Sequence, residues 1–157
     1  MAWCQSFVLE RYLFVEVMHD INTYMPLEIL NKLAVIFETS RAERNLSKLK
    51  EGLELSMKVD IDKFSEKEKC RFHYFVANGW SYVLLLKYDS SECVELPSIE
   101  YEKEIYHLRV ALGFIEEVDP IEACQILTNL GCAFSHIGRY TDCLLYTSPS
   151  PRDISGS

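Results

Sequence analysis

The 157-residue sequence contains little that interrupts helices and little positive charge. It has 6 Gly and 5 Pro, and its 16 Lys and Arg residues are outnumbered by 24 Asp and Glu, which gives a formal charge of −8. Long apolar runs are also missing, since a stretch such as residues 82–86 falls far below the roughly 20 residues that cross a bilayer. An acidic chain is repelled by phosphate backbones and anionic lipid. We therefore expect no nucleic-acid partner and no membrane association.

The sequence also has few motifs that carry chemistry. It contains no GxxxxGK[ST] or GxGxxG phosphate loop and no HExxH, and none of its four histidines lies in a nucleophile motif. The acidic run Glu100, Glu102 and Glu104 is explained by favourable charge at a helix start rather than by acid–base catalysis. We predict a chain that is not an enzyme and that holds no cofactor.

Six cysteines are scattered without any CxxC pair, and most lie in apolar periodic segments. A chain of this length with an ordinary core does not need disulfides, so we predict free thiols and a cytoplasmic location. No signal peptide is visible at the N-terminus. A zinc site would require Cys70-x-x-His73 and Cys132-x-x-x-His136 to meet; the alternative is that the cysteines pack and the histidines line a groove. We predict the second arrangement and no metal.

Helical periodicity runs through most of the sequence. Apolar residues recur every three or four positions, which gives each segment one stripe to bury. The stripes are Phe72, Val76, Gly79, Val83 and Leu86; Tyr101, Ile105, Leu108, Leu112 and Ile115; Leu127, Leu130, Phe134 and Ile137; and Leu46, Leu49, Leu53 and Met57 at the end of an earlier helix. No segment has the two-residue alternation of a hairpin. The predicted fold class is all-α.

Local chemistry predicts where several helices begin and end. Ser65 and Glu68 can form a capping box, and Asp119 before Pro120 can cap the next helix start. Gly138 can adopt the left-handed conformation that ends a helix. The polar stretch of residues 87–98 is predicted to be a loop.

The two ends of the chain are expected to differ from the helical domain between them. Residues 1–24 are expected to be an N-terminal helix that packs on the next helices or else a translation artefact, so that Met1, Met18 or Met25 is the true start. From residue 143 the sequence resembles one reading frame of a sequencing-library adapter, as far as Asp153. A natural Ser/Pro-rich tail is the alternative. We therefore predict a helical domain at residues 25–142 and a non-native tail at residues 143–157.

One motif in the last part of the domain has a recognisable pattern. It consists of Leu127, Leu130-Gly131, Ala133-Phe134, Gly138 and Tyr140. The pattern resembles the first helix and turn of a tetratricopeptide repeat (TPR), in which a small residue admits the paired helix and an aromatic residue fills the gap. The resemblance implies antiparallel helix pairs stacked as an α-solenoid, with the last repeat incomplete.

A second, degenerate copy is found about fifty-four residues earlier. Residues 70–73 align with residues 124–127, and residues 77–80 align with residues 131–134. Its returning helix would be residues 99–117, where Leu108-x-x-Ala111-Leu112 resembles the small-residue contact of a TPR second helix. Leu49-x-x-Gly52-Leu53 resembles the same contact one unit earlier. The spacing is longer than the thirty-four residues of a standard TPR.

The TPR resemblance implies a concave groove lined by the first helices of successive repeats. Its inward-facing offsets correspond here to Arg71, Tyr74, Asn78, Tyr82, Gln125, Thr128, Asn129 and His136. Amide, aromatic and single cationic groups suit hydrogen bonding to an extended peptide backbone better than capture of a carboxylate, which usually takes several Lys or Arg. The predicted partner is therefore a protein or peptide.

Two functional hypotheses remain at this point. The chain is a protein- or peptide-binding scaffold, or it is the N-terminal regulatory part of a larger bacterial enzyme such as a HEPN-type ribonuclease. The Arg-x(4–6)-His signature of such nucleases does not occur here. The reading frame beyond Asp142 would separate the two hypotheses. A severed repeat would also deprive Leu130, Phe134 and Ile137 of part of their cover, unless Leu144, Leu145 and Tyr146 fill in, and would so promote self-association.

Overall fold

The computed structural model describes residues 24–89 and 99–138, and these residues form an all-α structure. Five helices follow one another: α1 (Pro26–Ala42), α2 (Leu46–Ser56), α3 (Glu66–Asp89), α4 (Ile99–Leu112) and α5 (Pro120–His136). Short 3-10 turns, Ile61–Lys63 and Ile115–Glu117, precede α3 and α5. No strand occurs within the described ranges, and the predicted all-α class is confirmed for them.

The predicted helix boundaries at three positions are confirmed. The backbone N–H of Ser65 donates to Glu68 Oε2 over 2.8 Å, and the N–H of Glu68 donates to Ser65 Oγ over 3.3 Å, so the capping box opens α3. Asp119 Oδ1 accepts from the N–H groups of Ile121 and Glu122 at 2.9 and 3.0 Å and opens α5. Gly138, just after α5, has a φ of 75°.

Two predicted helices have different lengths in the structure. Leu46 begins α2 as a helix separate from α1, because Arg44 takes a φ of 53° and Asn45 then caps α2 through the N–H of Lys48 at 3.0 Å. The helix predicted at residues 99–117 ends at Leu112. The N–H of Gly113 donates to the carbonyl oxygens of Arg109 and Val110. This tighter last turn ends the helix before Ile115.

The buried apolar residues form two clusters. The first joins α1, α2 and one side of α3; its members are Ile29, Leu30, Leu33, Ile36, Phe37, Leu49, Leu53, Leu55, Phe64, Phe72, Val76, Val83 and Leu86. The second joins α4, α5 and another side of α3; its members are Cys70, Ala77, Ile105, Leu108, Ala111, Ile126, Leu130, Ala133 and Phe134. Helix α3 is therefore the element common to both clusters.

Leu130 and Phe134 are fully buried in the second cluster. The expected loss of cover is therefore not seen at these two residues, which pack with α4 side chains that include Leu108. Ile137 is partly buried against the same cluster.

Contacts along α3 fix the direction of its neighbours. Cys70 Sγ lies 3.3 Å from the Ala111 carbonyl oxygen, and further along α3 Lys87 pairs with Glu100 at the start of α4, so α3 and α4 run in opposite directions. Arg71 pairs with Glu122, and Asn78 bonds to Asn129, so α3 and α5 run in the same direction.

Two glycines let α1, α2 and α3 approach around one aromatic ring. A Cβ built on Gly52 would lie 2.6 Å from Ile36 Cγ2 and 3.1 Å from Phe37 Cε1. A Cβ on Gly79 would lie 2.9 Å from Leu53 Cδ2 and 3.1 Å from Phe37 Cε1. Phe37 thus packs directly against the backbones of α2 and α3. An alanine at Gly52 or Gly79 would force its neighbours to move apart.

Several predictions fall on residues outside the described ranges. They are the N-terminal helix of residues 1–24 except its last residue, most of the residue 87–98 loop, Tyr140 of the TPR-like motif, and the residue 143–157 tail. Among the described helices, none has the length and hydrophobicity that a bilayer span requires.

Candidate functional site

A cleft of about 640 Å³ opens between helices α1, α3, α4 and α5. Helix α3 provides half of its lining residues, α5 faces it, and α1 and α4 contribute at its edges. The lining residues are Arg41, Tyr74, Asn78, Ser81, Tyr82, Leu84, Leu85, Tyr101, Glu104, Asn129, Cys132 and His136. Aromatic, amide and hydroxyl groups therefore share one concave surface.

Five of the eight residues predicted to line a groove lie in this cleft: Tyr74, Asn78, Tyr82, Asn129 and His136. They are brought together because α3 and α5 run in the same direction side by side. Asn129 Nδ2 donates to Asn78 Oδ1 over 3.0 Å, which joins the two helices within the cleft wall. The Nδ2 of Asn78 and the Oδ1 of Asn129 take no part in this hydrogen bond.

The other three predicted residues are placed outside the cleft lining. Arg71 is half-buried and pairs with Glu122 through its NH2 nitrogen at 2.7 Å, so its charge is already compensated across the α3–α5 contact. Gln125 and Thr128 are exposed on α5.

At the α1 edge, Tyr82 is held by two residues of α1. Its hydroxyl donates to Glu38 Oε1 over 2.5 Å, and the Arg41 guanidinium lies 5.0 Å from the centre of its ring. Burial, followed by the hydrogen bond to Glu38, raises the pKa of Tyr82 to about 12. Arg41 also pairs with Glu38 at 3.4 Å, so this cation is engaged within the protein.

Glu104 is a cleft residue that the sequence interpretation missed. It was explained as a favourable charge at a helix start, but it lies in the second turn of α4 and is only 6% exposed. That expectation is corrected by its position within the buried stripe of Tyr101, Ile105 and Leu108, whose spacing places residue 104 on the same face. The stripe was visible in the sequence and could have indicated the burial.

The Glu104 carboxyl group is incompletely satisfied. The Ser81 hydroxyl hydrogen-bonds to it, while its Oε2 is buried without a hydrogen-bond partner among the described residues. Burial raises the pKa of Glu104 to about 7, against which the Ser81 bond acts only weakly. The cleft therefore has a carboxyl group in its wall that lies near the midpoint of its ionisation at neutral pH.

A histidine pair lies on another side of α3. His73 Nδ1 and His107 Nδ1 are 2.9 Å apart, with one ring donating and the other accepting. Burial lowers the pKa of both; that of His107 falls to about 4, with the charges of His73 and Lys103 adding to the effect. His107 also lines a smaller apolar cavity of about 380 Å³ with Val76 and Trp80.

The two Cys-His pairs weighed for a zinc site are not brought together. Cys70 contacts the Ala111 carbonyl and His73 pairs with His107, whereas Cys132 and His136 line the cleft. Within residues 24–89 and 99–138 no group of three or more candidate ligands is close enough for a metal ion. Cys132 is exposed, contrary to the expectation that it would pack.

Comparison of the chain with protein-family models, curated proteins and solved structures finds no match. The cleft combines aromatic residues, amide groups and a buried carboxyl group, and it is the feature of the described residues best suited to hold a ligand.

Proposed function

We propose that the chain is a protein- or peptide-binding scaffold of stacked, TPR-like helix pairs, and that the cleft between α3 and α5 holds an extended segment of its partner. The order of contacts supports this arrangement. Helix α3 pairs with α4 in the opposite direction and lies beside α5 in the same direction, as successive first helices of a solenoid do.

The observation that carries the proposal is the cleft of about 640 Å³ between these same-direction helices. Its volume falls within the range of about 300–1,000 Å³ that binding sites for small ligands or side chains occupy. Asn78 and Asn129 can each offer one hydrogen-bonding group to a peptide backbone, and Tyr74 provides a large contact surface with little entropy to lose.

The charges at the cleft oppose a carboxylate ligand. Arg41 is paired with Glu38, and Arg71, beyond the lining, is paired with Glu122. Capture of an anionic peptide end would have to compete with the carboxylates of these pairs. The free thiols of Cys70, Cys124 and Cys132 are consistent with the reducing cytoplasm that we propose as the location.

A peptide library displayed on phage and selected against the immobilised chain tests this function. Selected peptides should bind the wild type and bind Tyr74→Ala about 10- to 30-fold more weakly, since a central tyrosine of an interface commonly contributes this much. Tyr106→Ala is the matched control, because Tyr106 is an exposed tyrosine that lines the smaller cavity. Selected peptides that bind Tyr74→Ala as well as the wild type would refute binding in the cleft.

A further inference from the structure

Glu104 is costly to the fold as it stands. A carboxyl group that is 6% exposed, with one oxygen lacking a partner among the described residues, loses most of its hydration without full compensation. No described cationic side chain forms an ion pair with it, although Arg41 lines the same cleft. Buried and incompletely paired ionisable groups in a cleft are characteristic of sites that recognise a ligand.

The lining around Glu104 favours a positively charged ligand group. Tyr74 and Tyr101 line the same cleft, and aromatic rings attract cations through their ring electrons. The chain as a whole carries a formal charge of −8, which attracts cationic segments at long range. The terminal torsion of a glutamate is soft, so Oε2 can turn toward a group that enters the cleft.

We propose that a lysine side chain of the bound peptide enters this cleft and that its ammonium group pairs with the Glu104 carboxylate. This inference rests on the proposed function and specifies the chemistry of its partner. Lysine suits the site better than arginine, because only Oε2 of Glu104 lacks a partner among the described residues, while the carboxyl group already accepts a bond from Ser81. A guanidinium gains most when both carboxylate oxygens are available for bidentate pairing.

The test uses three pools of hexapeptides, each acetylated at the N-terminus and amidated at the C-terminus. The fixed central residue is lysine, Nε-acetyllysine or arginine, and all other positions are random. At pH 8 the immobilised wild type should retain the lysine pool about tenfold more than the acetyllysine pool, as expected for an added buried charge pair. The arginine pool should be retained less than the lysine pool.

Two variants separate the role of Glu104 from that of the general negative charge. Glu104→Gln should lower the lysine preference to about 1, while Glu116→Gln, the same charge change at an exposed residue outside the cleft lining, should leave it unchanged. A lysine preference that persists in Glu104→Gln would overturn the inference. So would equal retention of the lysine and acetyllysine pools by the wild type.

The pH dependence of the lysine preference tests the pairing in the wild-type protein itself. Because the pKa of Glu104 is about 7, the ionised fraction falls about tenfold between pH 8 and pH 6, and the lysine preference should fall with it. The other charged and titratable lining groups are Arg41 of α1, Tyr74 and Tyr82 of α3, Tyr101 of α4, and Cys132 and His136 of α5. The same measurement on a His136→Asn variant excludes a contribution of this histidine to the pH dependence of the lysine preference. A lysine preference that does not change with pH would contradict the pairing.

These outcomes distinguish the inference from the function on which it rests. If Tyr74→Ala abolishes retention of both the lysine and acetyllysine pools and the wild type does not discriminate between them, the cleft binds peptides without a lysine requirement. If no pool binds in a Tyr74-dependent way, both the inference and the proposed function fail.

Discussion

Glu104 and His107 lie one turn apart on α4, and burial changes their ionisation in opposite senses. The pKa of Glu104 rises from 4.5 to about 7, while that of His107 falls from 6.5 to about 4. In both cases desolvation favours the neutral form. Their effects on stability therefore oppose each other across the mildly acidic range.

Replacing Glu104 by Gln should stabilise the fold at pH 8. Between pH 4.5 and 7 the folded state holds a proton that the unfolded state has lost, so wild-type stability decreases as pH rises through this window. The cost is complete above pH 7 and is on the order of 3 kcal/mol. Urea denaturation should show Glu104→Gln about 1–3 kcal/mol more stable than the wild type at pH 8, with the difference much reduced at pH 4.5. Equal stability at pH 8 would show that the carboxyl group is not desolvated.

His107→Gln should change how the stability of the fold depends on pH under acidic conditions. The unfolded histidine takes up a proton below pH 6.5, whereas the folded one does so only near pH 4, so stability is lost as pH falls through this interval. The stability of the variant relative to the wild type should improve by about 2 kcal/mol between pH 8 and pH 5. The comparison between two pH values cancels only the pH-independent cost of losing the bond to His73. A difference that does not vary with pH would contradict the prediction.

At the level of helices, local chemistry was sufficient where a side chain caps its own helix. Ser65 with Glu68 and Asp119 with Pro120 were recognisable because capping needs only neighbouring residues. The separation of α1 from α2 was not predicted, since it depends on a left-handed conformation at Arg44, a residue type that seldom adopts it.

Ser65→Ala should destabilise α3 by about 1 kcal/mol, because the N–H of Glu68 loses its acceptor. Thermal or urea denaturation measures the change. Ser47→Ala is the matched control, since the exposed Ser47 hydroxyl makes only a 3.5 Å contact with Glu51. If both substitutions have the same effect, the capping box is not contributing.

Gly79→Ala should be destabilising by about 1 kcal/mol or more, although alanine is the better helix former by nearly that amount. The added methyl group would lie 2.9 Å from Leu53 Cδ2 and 3.1 Å from Phe37 Cε1 in a filled core. The double variant Phe37→Leu with Gly79→Ala should cost less than the two single changes together, because the smaller side chain leaves room. Additive effects would place the methyl group outside this contact.

For the whole molecule, the sequence predicted the all-α class and much of the candidate cleft. Tyr74, Asn78 and Asn129 could be found because repeat alignment identifies equivalent positions on helices that lie side by side. The position of Arg71 outside the cleft lining could not be predicted, because its pairing with Glu122 depends on the rotation of α3 against α5. Glu104 was missed because its carboxyl group was interpreted by its neighbours in sequence rather than by the buried face of α4.

The two apolar clusters predict unequal responses to equivalent core substitutions. Leu33 and Leu130 are both fully buried, one in each cluster, and leucine-to-alanine changes in cores cost about 2–5 kcal/mol. Leu130→Ala should increase amide hydrogen exchange mainly in α4 and α5, and Leu33→Ala mainly in α1 and α2, because each leucine packs within its own cluster. Equal increases in all helices after either change would instead show one cooperative unit.

Cys132 makes the cleft observable without altering the residues proposed to bind. Its thiol is exposed in the cleft wall, while burial, followed by the charge of Glu122, raises the pKa of Cys70 to about 11 and leaves that thiol almost unreactive. With the remaining cysteines changed to serine, a fluorophore on Cys132 would report occupancy of the cleft through a change in its emission. Ligands could then be screened by fluorescence in a plate.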